Sequence, residues 1–474
     1  MPRLACAGCG TVVDAIGPAG PVWRCPRAGD GDVDHVLRPV DADDAAWPWD
    51  ADVSSANPFV RYRTRLTAYR AARALGMSDA AFVALAERLD ARVAEVDGAG
   101  FRVTPLRIES ALAAHADMPC GNLLVKVEAD HVSGSHKARH LMGIMLMLDV
   151  WHATAAPDAA DEVRLAIASC GNAALAAAVV ARAAGYALDV FVPTWASQAV
   201  VGRLLALGAT INACARTPGV AGDPCYHGFR REVADGATPF CCQGPDNGMT
   251  IDGGATLAWE MLDALDGWPP DAVVVQVGGG ALATSIVRGF TGAHRAGRAA
   301  RLPRLHAVQT RGCAPLVRAH DAVTLAILGR LGVAASTLST LDHHAQRERV
   351  RRAALIARDA TSADIDTALD HAATHRSAYM RPWDVEPRSV ATGILDDETY
   401  DWLAIVDGML RSGGYPVLAD EDTLARANRV AHDATGIDVC MTGTAGLAGL
   451  MDAAPLDPRL RDERVAVVFS GHTR

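Results

Sequence analysis

The sequence predicts an α/β fold built on parallel sheet, and three observations carry that prediction. Short, uninterrupted apolar runs such as VRLAIAS and DAVVVQV alternate with segments of helical period. The apolar runs break off at turns containing glycine or serine, and these turns open the next helix. A strand that is apolar at successive positions is buried on both faces, the condition of a parallel sheet covered by helices.

The elements follow in order. The first 40 residues are polar and irregular, with Cys6, Cys9 and Cys25 set among Gly and Pro. The stretch DADDAAWPWDAD reads as a linker or a surface strap. From Asn57 to Val96 the period is helical, as in TAYRAARALG and DAAFVALAERLDARVAEV, with apolar residues at i, i+3 and i+4. NLLVKVEAD (122–130) is a β-type run, and HKARHLMGIMLMLDVWHA is a helix opening at the Ser/Gly turn that follows it. VRLAIAS is then a strand, GNAALAAAVVARAAG a helix ended by Gly185, YALDVFVP a strand and SQAVVGRLLALGA a helix with its turn. DAVVVQVGGG is a strand, ATSIVRGFTGAHRAG a helix, RLHAVQT a strand, and ERVAVVFSG a last strand near the end. There is no internal repeat and no low-complexity tail.

Composition narrows the function. The chain has 474 residues, enough for two or three domains, with 50% hydrophobic and 21% charged residues, the balance of a globular protein. A formal charge of -10 argues against nucleic acid or an anionic membrane as partner. No apolar run approaches the roughly 20 residues that span a bilayer. The start, MPRLACAGCG, has no apolar stretch of the signal-peptide kind, so a cytoplasmic location is expected. The 11 cysteines are scattered and odd in number, which fits reduced thiols. Of 45 basic residues only Lys126 and Lys137 are lysines, and arginine cannot lose its proton to act as an amine nucleophile. Any lysine chemistry here has two candidates.

Three turns end strands and lead into helices: Ser133 to Lys137, Ser169 to Asn172, and Gly278, Gly279 and Gly280; a fourth strand ends at Ser470 and Gly471. In open α/β folds ligands bind at the carboxyl ends of strands, where helix N-termini offer free backbone N–H groups. The triple glycine lacks the G-x-G-x-x-G spacing and a suitable acidic residue about 20 positions on, so a turn cradling one phosphate explains it better than a dinucleotide site. Lys126 lies in LLVKVE on one strand face with Glu128, where an ion pair with Glu128 or a neighbour suffices. Lys137 follows a flexible turn at a helix start, where the dipole favours a neutral, nucleophilic amine.

The order and spacing of the four turns resemble those of the tryptophan synthase β/threonine synthase superfamily, fold type II of the pyridoxal-phosphate enzymes. SGSHKARH resembles its lysine motif, ASCGNAALAAA its Ser-x-Gly-Asn loop, VGGGAL its phosphate loop and VVFSGH its terminal strand. TPL (104–106) and LLVKVE also fall where that family places them, and the likeness runs from about Thr104 to the C-terminus. The resemblance implies that Lys137 holds pyridoxal 5'-phosphate as a Schiff base. It implies further that Asn172 donates to the cofactor's ring hydroxyl oxygen and that Ser169 holds a substrate carboxylate. Gly278, Gly279 and Gly280 would bind the phosphate, and Ser470 would lie beside the pyridine nitrogen. His136, in place of the Phe of threonine synthase-like chains, is expected to touch the phosphate or pack on the cofactor, or else to serve the structure alone.

Cys6-x2-Cys9 followed by Cys25 resembles the zinc-ribbon-like start of many threonine synthase-like proteins. The usual fourth cysteine is missing, and His35 could complete a Cys3His tetrahedron around structural zinc; a decayed ribbon without metal is the alternative.

The expected architecture is therefore tryptophan synthase β-like. It has a zinc-ribbon-like appendage at 1–45, an N-terminal α/β domain at 46–245 carrying Lys137 and the Ser-x-Gly-Asn loop, and a C-terminal α/β domain at 246–474 carrying the glycine turn. By family analogy the protein is a homodimer acting on a small amino-acid substrate. The expected reaction is elimination or replacement at Cβ or Cγ, of lyase or ammonia-lyase type. A threonine synthase-like γ-replacement is the alternative, favoured by the cysteines but opposed by His136 and by Ala138 in place of the usual Asp. Tryptophan synthase itself fits worse, because Ala168 offers no carboxylate where its loop carries a catalytic Glu. A rival of another class is a non-catalytic protein that binds the cofactor or an amino acid for regulation. Substrate contacts are expected from the segment 380–402 and from TGTAG (442–446).

Overall fold

The computed structural model describes residues 1–40, 51–155, 163–216, 222–338 and 343–473. Two parallel sheets organise these residues. The larger has six strands in the order Val417–Ala419, Arg304–Thr310, Ala272–Gln276, Val465–Phe469, Leu123–Val127, Leu106–Ile108. All neighbours in it are parallel except the last pair. The smaller has four parallel strands in the order Thr210–Cys214, Ala187–Pro193, Arg164–Ala168, Thr238–Pro239.

The apolar runs are buried as their composition requires. Along Ala272–Gln276, Val273 and Val275 face one core while Ala272 and Val274 face another, so helices cover both sides of the six-stranded sheet. The smaller sheet has its own core, in which Leu165, Ile167, Val190 and Val192 pack against the helices Lys137–Thr154 and Asn172–Ala184.

The larger sheet draws strands from both sides of residue 246. Leu106–Ile108 and Leu123–Val127 leave the segment that carries the smaller sheet and complete the larger one beside Val465–Phe469. Lys137 therefore stands on a helix that starts next to the six-stranded sheet and packs in the core of the other.

The helical stretch from 57 divides into Pro58–Arg61, Thr67–Ala74 and Asp79–Asp97. Gly76 at φ 86° breaks the chain, and Ser78 then caps the long helix, its side chain accepting from the Ala81 N–H at 3.1 Å. Gly185 ends its helix in the left-handed conformation, φ 87°. The first 40 residues are more regular than their composition suggests. Arg3–Cys6 pairs antiparallel with Val12–Asp14 and Leu37–Pro39, and Ile16–Gly17 with Gly20–Pro21. Strands of two to four residues are too short to show a period in sequence. The linker expected at 41–52 lies, for residues 41–50, outside the described residues.

Candidate active site

Strands Ala272–Gln276, Val465–Phe469 and Leu123–Val127 are adjacent and parallel, so the turns at their carboxyl ends lie side by side. The turn before Lys137 is tied to the end of the last strand by three contacts. The His136 N–H donates to Ser470 Oγ at 3.0 Å, His136 Nδ1 lies 2.5 Å from the same oxygen, and the His472 N–H donates to Gly134 O at 2.9 Å. Asn172 enters from the smaller sheet: a Cβ placed on Gly471 would stand 3.0 Å from its Nδ2 and 2.7 Å from Cys440 Sγ. That approach is open only to glycine, and Gly471 also adopts φ 111°. The Ser169 hydroxyl accepts from the Gly171 N–H at 3.3 Å and so shapes its own loop.

The glycine turn is closed over from the other side by residues 394–405. A Cβ on Gly278 would come within 2.3 Å of Asp396 Oδ2, one on Gly279 within 2.9 Å of Tyr400 Cδ2, and one on Gly280 within 2.9 Å of Ile405 Cδ1. Thr399 Oγ1 donates to Gly278 O at 3.0 Å and the Asp401 N–H to Gly279 O at 3.1 Å. Gly280, at φ 108°, is the N-cap of helix Ala281–Arg295. Most of this cover falls within the segment 380–402 expected to contact substrate; the acidic run DDE is the local signal for Asp396, and no pattern marks Tyr400.

Several buried polar atoms on the turn before Lys137 and on the glycine helix have no hydrogen-bond partner: Ser135 Oγ, His136 Nε2 and, one turn into the glycine helix, Thr284 Oγ1. Buried polar groups are rarely left so, and a polar ligand with oxygen and nitrogen functions answers them. A glycine turn at a helix N-terminus suits a phosphate in particular. Burial holds His136 well below the usual histidine range, reinforced by the Lys137, His140 and Arg139 charges, so its ring is neutral. Burial also pushes Asp396 up to about 6 and Asp401 up to about 7, against the pull of Lys137 on both.

The second lysine is occupied. Lys126 is fully buried, its Nζ 2.5 Å from Glu260 Oε2 and donating to Thr104 O at 2.7 Å. Arg139 joins the cluster, its Nε 2.8 Å from Glu128 Oε2 and Nη1 2.5 Å from Glu260 Oε1. The main partner of Lys126 is thus Glu260, far along the chain, while Glu128 serves Arg139. Lys137, by contrast, is half-buried.

In the N-terminal segment the four expected ligand atoms of Cys6, Cys9, Cys25 and His35 lie within 4.8 Å of one another. Cys6 Sγ is 3.7 Å from His35 Nδ1, and Cys9 Sγ is 3.6 Å from Cys25 Sγ. The edges of a tetrahedral zinc–thiolate site are about 3.5–3.8 Å long, which these two pairs match.

A family model described as pyridoxal-phosphate dependent enzyme matches residues 99–471. The chain belongs to that family. Among curated relatives, a serine dehydratase-like protein of Mus musculus is 31% identical over 210 residues, 44% of this chain and 56% of that protein. A threonine synthase of Mycobacterium tuberculosis is 29% identical over 244 residues, 50% of this chain and 63% of that one. The chain therefore spans little more than half the length of these relatives. Among solved structures, maize serine racemase superposes with TM-score 0.54 at 16% identity, covering 82% of this chain and 92% of that one. A threonine deaminase isoform of Solanum lycopersicum gives TM-score 0.54 at 18% identity, covering 84% and 91%. The fold is that of the type II pyridoxal-phosphate enzymes, as expected from the order of the turns. Among the described residues no helix is long and apolar enough to cross a membrane.

Proposed function

We propose that this family member is an amino-acid lyase or ammonia-lyase that eliminates or replaces a substituent at Cβ or Cγ, with Lys137 carrying the cofactor. The observation that carries this reading is Ser470. A hydroxyl, not a carboxylate, ends the strand beside the lysine turn, and two groups of His136 contact it. With the imidazole neutral and its proton on Nδ1, both His136 contacts donate to the serine oxygen, which leaves the serine proton free for a ring nitrogen. A serine can donate there but cannot hold a full proton.

Bound pyridoxal phosphate supplies an electron sink for negative charge at the substrate α-carbon. The chain's residues supply the rest. Lys137 holds the cofactor and moves the α-proton, and Asn172 holds the ring hydroxyl oxygen. Ser169 and its loop receive the substrate carboxylate, while Gly278, Gly279 and Gly280 receive the phosphate. With only the Ser470 hydroxyl to offer a ring nitrogen, the site would favour proton loss coupled to departure of a β or γ substituent. The serine dehydratase-like and threonine synthase relatives both lie within this class. Cys6, Cys9, Cys25 and His35 hold a structural zinc in this reading, and a homodimer is the expected assembly.

The test is product analysis with serine, threonine and their phosphorylated or homologous analogues. A 2-oxo acid with ammonia is the expected product pair; phosphate release with a new amino acid and no 2-oxo acid establishes the γ-replacement alternative that the gathered cysteines favour. Bound cofactor with no turnover of any of them leaves a regulatory binding protein. Ser470→Asp is expected to lower elimination about tenfold or more and to raise transamination; unchanged rates would remove the argument from Ser470.

A further inference from the structure

The glycine turn already has an anion on it. Asp396 places Oδ2 2.3 Å from where a Cβ of residue 278 would stand, and Oδ1 3.7 Å from the same point on residue 279. The Gly279 amide favours the charged form of this carboxylate. The Asp396 backbone is held by Cys313, whose Sγ donates to Asp396 O at 3.2 Å, and its segment by Thr399 and Asp401, which bond the carbonyls of Gly278 and Gly279. The backbone that carries the carboxylate is therefore anchored beside the turn.

We infer that Asp396 competes with the cofactor's phosphate for the glycine turn and sets how strongly the site discriminates phosphorylated from unphosphorylated ligands. This rests on the turn being the phosphate site. Two like charges in contact on one half-buried turn repel by several-fold more than in water. The surroundings offer little relief. Lys137 and the Gly279 amide favour the charge on Asp396, whereas Asp397 and Asp223 oppose it. Tyr400, Cys170, Cys242 and Cys313 also sense Asp396, and none of these four brings a positive charge. A phosphate entering the turn meets a carboxylate that must move or take up a proton.

The measurement is the ratio of dissociation constants for pyridoxal and pyridoxal phosphate, read by fluorescence and Schiff-base absorbance on the full-length apoprotein. Three proteins are compared: the natural chain, Asp396→Asn and Asp396→Glu. Asp396→Asn should raise the ratio about tenfold or more by tightening the phosphorylated ligand alone, and should likewise tighten inorganic phosphate as a competitor. Asp396→Glu, which keeps the charge, should stay near the natural value. Asp396→Ser replaces Asn if circular dichroism shows that variant unfolded. A ratio well above one but equal in all three proteins overturns the role of Asp396 and leaves the phosphate reading intact. A ratio near one in all three overturns the phosphate reading, and this inference with it.

Discussion

Lys126 and Lys137 lie either side of one turn and inhabit opposite electrostatic worlds. Lys126 is sealed into a cluster in which two cations, Lys126 and Arg139, meet two carboxylates, Glu128 and Glu260, all four with fully buried side chains. Every charge has a partner, and the cluster has nothing left to offer a ligand. Lys137 is half-buried and directly follows two residues with buried atoms that lack partners, Ser135 Oγ and His136 Nε2. The contrast separates charge used to hold a fold from charge kept available for chemistry.

The comparison breaks most sharply at Lys137. Lys137→Ala should cut turnover by on the order of a thousandfold while leaving the thermal unfolding midpoint nearly unchanged. Borohydride reduction of the natural protein should fix the cofactor on the peptide bearing Lys137, and label on the Lys126 peptide would reverse the assignment.

Lys126→Met should do the opposite. It leaves a net buried negative charge and should cost about 3–5 kcal/mol in urea unfolding. Adding Glu260→Gln rebalances the cluster and should return part of that loss. If Lys126→Met unfolds like the natural chain, the cluster is not what holds this region.

The appendage extends the same contrast to thiols. Its Cys6, Cys9, Cys25 and His35 donors are already gathered. About one zinc per chain is expected by metal analysis, and chelation should lower the unfolding midpoint while cofactor absorbance is retained. Absence of zinc in protein purified without chelators would mark a ribbon that keeps its turns alone.

Two buried carboxylates give the smallest effect. Arg139 and Lys126 outweigh the burial of Glu260 and hold it below its usual range, whereas burial pushes Asp401 up to about 7 with Arg38 opposing and Asp34 reinforcing. Folded Asp401 therefore keeps its proton where the unfolded chain has lost it. Its contribution to stability falls as pH rises from about 4 through 7. The stability of Asp401→Asn relative to the natural chain should grow across that window in a pH series of melts, and a flat difference would count against the shift.

What the sequence showed of the site follows from what local pattern can encode. The strand-ending turns, the glycine at 185 and the spacing of Cys6 and Cys9 are local, and each leaves a mark within a few residues. Glu260 as partner of Lys126, and Asp396 on the glycine turn, are meetings of residues more than a hundred positions apart. No periodicity records them. The same holds for Leu123–Val127: its apolar run announced a strand, yet nothing in it chose the sheet that Val465–Phe469 completes. The contact of His136 with Ser470 lay between two residues singled out separately, and only the parallel register of their strands joined them.

The appendage also bears on what could be cut away. Asp34, beside His35, accepts from the indole N–H of Trp402 at 3.1 Å and from Arg376 Nε at 3.2 Å. Trp402 is fully buried and directly follows Asp401, which bonds the glycine turn. Leu4, Ile16 and Leu37 belong to the same core as the helix bearing Lys137. Removing residues 1–40 would thus orphan an indole donor inside the protein, at about 1–3 kcal/mol, and strip one wall from a shared core. In modular terms the segment is no detachable cassette, and a truncation made there is a core mutation.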